Sequence, residues 1–156
     1  METKYEIRSA YRNEWQDAMA LAWKTFLCFE ADVYTPEGVE NFKNFITDST
    51  LYRMFVMGTY QLFVALDCDK IVGMITLRDS SHISLLFVDA AYHRQGIGRA
   101  LVRYLTDYLL AEVGTNRVTV NASPYGIGFY HKMGFRDLRP EETRDGITYT
   151  PMEFIL

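Results

Sequence analysis

Hydrophobic and polar positions change their period several times along the chain, and each change marks an element. Tyr5 to Arg8, with Tyr5 and Ile7 set between charged neighbours, predicts a short strand. Asn13 followed by Gln16 has the form of a capping box, after which Trp15, Met19, Ala22, Trp23, Phe26 and Phe29 recur at helical spacing. Thr35 and Pro36 suit the N-cap and first position of a second helix, whose apolar face is Val39, Phe42, Phe45 and Ile46. Leu51 to Met57 fits either a helical extension beyond Asp48-Ser49 or a strand, and Gly58 ends it. Tyr60 to Leu66 and Ile71 to Leu77 alternate as strands around a turn at Asp67 to Lys70. Asp79-Ser80-Ser81 then turns into Ile83 to Val88, a short branched and aromatic run.

After that run, Ile97, Leu101, Tyr104, Leu105, Tyr108 and Leu109 form the stripe of an amphipathic helix that stops at Gly114. Arg117 to Val120 is a β-branched strand closed by Asn121, and Ser123-Pro124 opens a short helix through Lys132 that stops at Gly134. Phe135 resumes strand character, Asp145-Gly146 signals a hairpin, Pro151 implies an edge or bulge, and Met152, Phe154 and Leu156 alternate to the end. The sum is an α+β fold, a mixed, mostly antiparallel sheet of about seven strands flanked by helices.

Composition narrows the function classes. The 156 residues suit a single domain spanning 1–156, and 49% hydrophobic with 15% aromatic residues is ample for a packed core. A net charge of −4 argues against nucleic acid or an anionic membrane as partner. Met1 to Arg8 mixes charges without an apolar core, and no run approaches the roughly 20 apolar residues of a membrane span, so a cytoplasmic protein is expected. Cys28 and Cys68 lack metal-ligand spacing and read as ordinary thiols; no metal is expected.

The chemistry gathers where strand, turn and helix meet, at His93-Arg94-Gln95-Gly96-Ile97-Gly98-Arg99. Glycines at a helix start let backbone N–H groups converge, and the helix dipole favours an anion there. A Walker loop would need Gly-Lys-Ser/Thr, and Gly98 is followed by Arg99-Ala100. A Rossmann fingerprint would need its first glycine directly after the strand and a third further on, but Asp89 to Gln95 intervenes and Leu101 occupies the third position.

His82 to Leu110 resembles motif A of the GNAT superfamily of acyl-CoA-dependent N-acetyltransferases, whose loop reads Arg/Gln-x-x-Gly-x-Gly/Ala, with His93 in place of the usual Arg or Gln. Asn121 to Phe135, ending Phe129-Tyr130-His131-Lys132-Met133-Gly134-Phe135, resembles motif B. The resemblance implies a twisted sheet splayed at its central parallel pair, Ile83 to Val88 beside Arg117 to Asn121, with a β-bulge in the first strand. It implies acetyl-CoA as cosubstrate, its pantetheine arm lying in the splay along Leu86, Phe87 and Val88 and against Asn121. Its pyrophosphate would rest on the turn, where His93 and Arg94 precede the amides of Gln95, Gly96, Ile97, Gly98 and Arg99. Arg99 and Arg103 read equally as a solvated helix face.

By the same resemblance, the Leu86 N–H faces the thioester carbonyl and Tyr130 protonates the leaving sulfur, a role suited to a phenol near pKa 10. His82 stands where histone-type relatives carry a glutamate base; Asp89, whose ordinary use is capping, and a water chain are the other routes for the proton. The acceptor is expected among the two N-terminal helices, the connector from Phe29 to Tyr34 and the last hairpin, with Phe29, Glu30, Asp32 and Tyr34 as candidate contacts. The acidic Glu30, Asp32 and Glu37 suit a small cationic amine; a peptide amine stays open, as do a homodimer and a longer acyl group. The rival reading is an idle acyl-CoA sensor or partner-binding domain of the same fold.

Overall fold

The structure, a computed structural model, describes residues 3–79 and 81–156. Met1 and Glu2 of the N-terminal segment, and Ser80 of the predicted turn, lie outside the described residues. Strand β1 (Glu6–Ser9) precedes three helices, α1 (Trp15–Phe29), α2 (Pro36–Ile46) and α3 (Ser49–Val56). Three strands follow, β2 (Tyr60–Asp67), β3 (Lys70–Arg78) and β4 (His82–Val88), then α4 (Ile97–Tyr108), whose end widens to π hydrogen bonding over Leu109–Val113. The chain closes with β5 (Arg117–Ala122), α5 (Ile127–Met133), β6 (Arg136–Asp137), β7 (Glu142–Arg144) and β8 (Ile147–Ile155).

Local signals explain most boundaries; two differ from expectation, and one that the sequence leaves open is decided. The capping box forms at Tyr11 and Glu14, not at Asn13 and Gln16, because Glu14 is held by Arg8 at 2.8 Å and accepts the Tyr11 N–H at 2.6 Å. Leu51 to Met57 resolves as helix, since Asp48 caps it by accepting the Thr50 N–H at 2.8 Å. α5 begins later than predicted: Ser123 Oγ accepts the Gly126 N–H at 3.1 Å, and that interaction holds a turn ahead of the helix. Thr35 caps α2 as expected, accepting the Gly38 N–H at 3.1 Å.

The eight strands run β1-β2-β3-β4-β5-β8-β6, with β7 paired to β8, and every pairing is antiparallel except β4 with β5. The extra strand arises because the tail after Phe135 divides into the two-residue β6 and the β7–β8 hairpin. Pro151 lies opposite Asn121 in a strand flanked on both sides, and its carbonyl accepts the Leu138 N–H at 2.8 Å. The N–H and C=O of a strand residue share one edge, so the missing donor faces the end of β6 and leaves the β5 ladder intact.

Helices cover both faces. Ile97, Leu101, Val102 and Leu105 of α4 pack with Phe63, Ile75 and Leu77 on one side, while Trp15, Met19, Ala22 and Phe26 of α1 pack with Leu62, Val64 and Met74 on the other. Each such large side chain contributes about 1.5–3 kcal/mol by leaving water. On β4 the alternation reverses: Ile83 belongs to the α4 core, but Leu85 and Phe87 belong to the α1 core. The cause is a bulge. Leu77 pairs with Ile83 and Thr76 with Leu85, so Ser84 is an extra residue, pinned by the Tyr60 hydroxyl, which lies 3.0 Å from Ser84 Oγ and 2.8 Å from Thr76 Oγ1.

Candidate active site

Among the described residues, strands β4 and β5 pair only at His82 with Thr119 and at Ile83 with Val120. From the bulge onward they part, because β4 keeps its register with β3 as far as Val88 while β5 follows β8 as far as Ala122. The edge of β4 over residues 84–88 therefore has no strand beside it, and its unpaired backbone groups face a cleft of about 1350 Å³.

At the top of β4, a 3-10 turn over Ala90–Tyr92 leads into the glycine turn. Arg94 (φ 64°) and Gly96 (φ 80°) adopt left-handed backbone, the reason a glycine is needed at position 96, where α4 begins. No side chain caps α4, so its first N–H groups are free to meet an anion, with Arg94 and Arg99 exposed beside them. His93 is committed elsewhere. Its Nε2 donates to the Val88 carbonyl at 2.7 Å, and its ring stacks on Phe29 at 4.9 Å.

The opposite wall comes from β5 and α5. Asn121, Ser123 and Tyr125 line the cleft, and Tyr125 stacks on Phe29 at 5.0 Å. Tyr130 is buried, with Phe135 at 5.1 Å and Phe129 at 5.2 Å, and its hydroxyl has no protein hydrogen bond among the described residues. Burial, with the Glu30 charge as a smaller cause, pushes its pKa up, so the phenol holds its proton at neutral pH.

The sequence offers His82 and Asp89 for proton transfer and Glu30 as an acceptor contact, and their surroundings separate the three. His82 shares a 2.8 Å hydrogen bond between its Nδ1 and Thr119 Oγ1, and burial, aided by Arg78, lowers its pKa to about 4. It is neutral at pH 7 and a weak base. Asp89 is buried and engaged, accepting from the Ala91 N–H at 2.9 Å and from Lys24 Nζ at 3.0 Å; its pKa stays low through these partners despite burial. Glu30, at the end of α1, is raised by burial to about 7, although the Ser123 and Tyr34 hydroxyls stand close enough to favour its ionised form.

Most of the site residues expected from sequence meet in this one cleft: Leu86, Phe87 and Val88 on β4, His93, Arg94, Gly96, Ile97, Gly98 and Arg99 at the turn, Asn121 and Tyr130 opposite, with His82, Phe29, Glu30 and Tyr34. Two do not line it. The Gln95 side chain turns away to accept the Tyr5 hydroxyl at 2.6 Å, and Asp32 is exposed on the short 3-10 turn over Ala31–Val33. The α2 residues Glu37, Asn41, Phe42 and Phe45 and the hairpin residues Arg144, Asp145, Ile147 and Tyr149 also line the cleft, with Arg78 from β3. Arg78 belongs to no motif, and Tyr125, although inside the stretch from Asn121 to Phe135, carries no expectation of its own. Ser123 was legible as a cap but not as a neighbour of Glu30. Among the described residues there is no cluster of three or more His, Cys, Asp or Glu side chains able to hold a metal ion, and no helix long and apolar enough to cross a membrane.

Comparison with known proteins agrees with this geometry. A family model described as the acetyltransferase (GNAT) domain matches residues 30–156. A GCN5-related N-acetyltransferase from Rhodopseudomonas palustris has the same fold, with a TM-score of 0.85 at 22% identity over 100% of this chain and 99% of that one. The PaiA N-acetyltransferase of Thermoplasma acidophilum, solved in complex with coenzyme A, gives 0.80 at 17% identity, covering 98% and 99% of the two chains. YncA of Salmonella typhimurium, solved with its cofactor acetyl-CoA, gives 0.72 at 16% identity, covering 98% and 94%. A comparison with curated protein sequences finds no match.

Proposed function

Because the chain belongs to the GNAT acetyltransferase family, we propose that it transfers an acetyl group from acetyl-CoA to a primary amine by direct attack, with both substrates bound together. The observation that carries this reading is the parting of β4 and β5 after Ile83 and Val120, directly below the left-handed turn at Gly96. The residues fit the cosubstrate: an unpaired strand edge suits a peptide-like arm, and uncapped α4 amides beside Arg94 and Arg99 suit a pyrophosphate.

When bound, acetyl-CoA supplies an acetyl group activated as a thioester. The Leu86 N–H then serves the carbonyl oxygen as charge builds on it, a preorganised donor worth a few kcal/mol. Tyr130 keeps its proton until a thiolate leaves and gives it up there. Arg94, Gly96, Ile97, Gly98 and Arg99 hold the phosphates, and Asn121 steadies the arm from the β5 side. Cys28 and Cys68 are exposed and away from the cleft, so neither is available to carry the acetyl group, which favours direct transfer.

The acceptor lies at the end of the cleft walled by α2 and the β7–β8 hairpin, with Glu30 and Glu37 in the same lining. Those carboxyls favour a cationic amine. The deciding experiment measures free thiol released from acetyl-CoA with a panel of polyamines, amino acids, aminoglycosides and peptides. Amine-dependent thiol release is expected, and stabilisation by CoA without any release would leave a binding protein instead.

A further inference from the structure

We propose that Glu30, and not His82, is the base that takes the proton from the acceptor amine. The proposal rests on the acetyltransfer reading above and names a residue for its first step. Glu30, the residue after α1, lines the cleft with Tyr34 of its own connector, Ser123 and Tyr130. Its neighbour Phe29 stacks on Tyr125 at 5.0 Å, and Ser123 Oγ and Tyr130 both lie beside Gly126, so the end of α1 is set against the loop that leads to the phenol. The carboxyl that would accept a proton and the phenol that would donate one thus line one cleft, as a reaction with one proton to remove and one to deliver requires.

The neighbours of Glu30 are suited to this use. Tyr34 and Tyr130 are both held protonated by burial, so neither competes for the amine's proton at neutral pH. Phe29, the residue before Glu30, is stacked with His93 and Tyr125, which fixes the end of α1 against both sides of the opening. None of the cleft's arginines acts on the carboxyl: Arg78 sits beside His82, Arg94 and Arg99 at the phosphate turn, and Arg144 on the hairpin. When ionised, Glu30 has no cationic partner among the described residues, and an ammonium group supplies one.

The step balances as follows. An ammonium acceptor gives one proton to the Glu30 carboxylate and becomes a neutral amine. Its lone pair forms the C–N bond, the C–S bond breaks, the sulfur takes the Tyr130 proton, and the second nitrogen proton released on amide formation returns to the tyrosinate through solvent. Glu30 loses its proton to solvent before the next cycle. A carboxyl titrating near neutrality suits such a base, since it is substantially ionised at pH 7 and still basic enough to accept.

The test uses the full chain with the Glu30→Gln and Glu30→Asp variants. In ¹³C NMR of protein labelled at the glutamate carboxyls, the signal missing from Glu30→Gln should titrate near pH 7 in the parent protein, a readout independent of turnover. With the amine of the panel that turns over fastest, kcat/KM should rise with pH through a midpoint near 7 and then level off. Glu30→Gln should lower it about 100-fold or more and abolish that limb, Glu30→Asp should restore part of it, and CoA affinity should stay within about threefold. An unchanged rate in Glu30→Gln, or a parent profile that climbs on toward the amine's own pKa near 10, would overturn the assignment while leaving acetyl transfer standing. Absence of thiol release with every amine would overturn both readings together.

Discussion

His93 and Val88 are joined by a 2.7 Å hydrogen bond from the imidazole Nε2 to the carbonyl oxygen that ends β4. The bond ties the glycine turn to the strand edge, and the same ring packs on Phe29. His93 thus stands at the motif position of an Arg or Gln but is spent on the protein itself. We expect His93→Phe to keep the stacking, to lose about 1 kcal/mol of stability with the bond, and to leave the CoA dissociation constant within about threefold. Thermal unfolding and calorimetric titration check this, and a tenfold weaker complex would make the imidazole a ligand of the cofactor.

Gly96 has a φ of 80° with open space around the position of a Cβ, so its requirement is conformational and not steric. Gly96→Val should cost about 1–2 kcal/mol through the left-handed backbone and shift the amides that follow it. Stabilisation of the fold by CoA in a thermal shift assay should then disappear. Retained stabilisation would place the phosphates away from this turn.

Tyr130→Phe removes a hydroxyl that has no partner within the protein among the described residues, so the fold should hardly change. Turnover should fall about 100-fold or more while CoA binding is preserved. Equal turnover would take Tyr130 out of the mechanism.

Glu30 gives the stability curve a pH dependence of its own. The folded state binds its proton more tightly than the unfolded chain, raising the pKa from 4.5 to about 7. This contribution to stability is complete below pH 4.5, is lost as pH rises to about 7, and is level beyond, a change on the order of 3 kcal/mol. Glu30→Gln should therefore melt higher than the parent at pH 8 and at nearly the same temperature at pH 4.5. A variant less stable than the parent at pH 8 would contradict the burial that raises this carboxyl.

The β7–β8 hairpin is fastened to α2 through two glycines. Thr35 N–H donates to the Gly146 carbonyl at 3.3 Å, Asn41 Nδ2 donates to the Asp145 carbonyl at 3.0 Å, and a Cβ on Gly38 would overlap Gly146 O. Gly38→Ala should push the hairpin off α2 and raise KM for the acceptor at least several-fold, with the CoA dissociation constant nearly unchanged. Steady-state kinetics with each substrate varied separates the two effects.

The elements and the glycine turn were legible in the chain because both are written locally. Period, caps and glycines mark α1, α2, β4 and α4, and the turn from His93 to Arg99 is contiguous in sequence. Short pieces without a period, such as β6 at Arg136–Asp137, were not legible, since two residues carry no pattern. The capping box stands away from Asn13 and Gln16 because the carboxylate that forms it, Glu14, closes a 3-10 turn over Arg12–Glu14 ahead of α1 and is held there by Arg8, outside any local motif.

By itself, then, the sequence determined that strand, left-handed turn and helix would follow one another, and which backbone amides would be bare at the helix start. Only the tertiary structure decided which ionisable groups can act. His82 and Glu30 are 52 positions apart in the chain and line one cleft. Burial pushes the imidazole down to about 4 and the carboxyl up to about 7, in each case by disfavouring the charged form. How far each side chain loses its water depends on Thr119, Ser123 and Tyr34, neighbours brought in by the parting of β4 and β5 and by the end of α1.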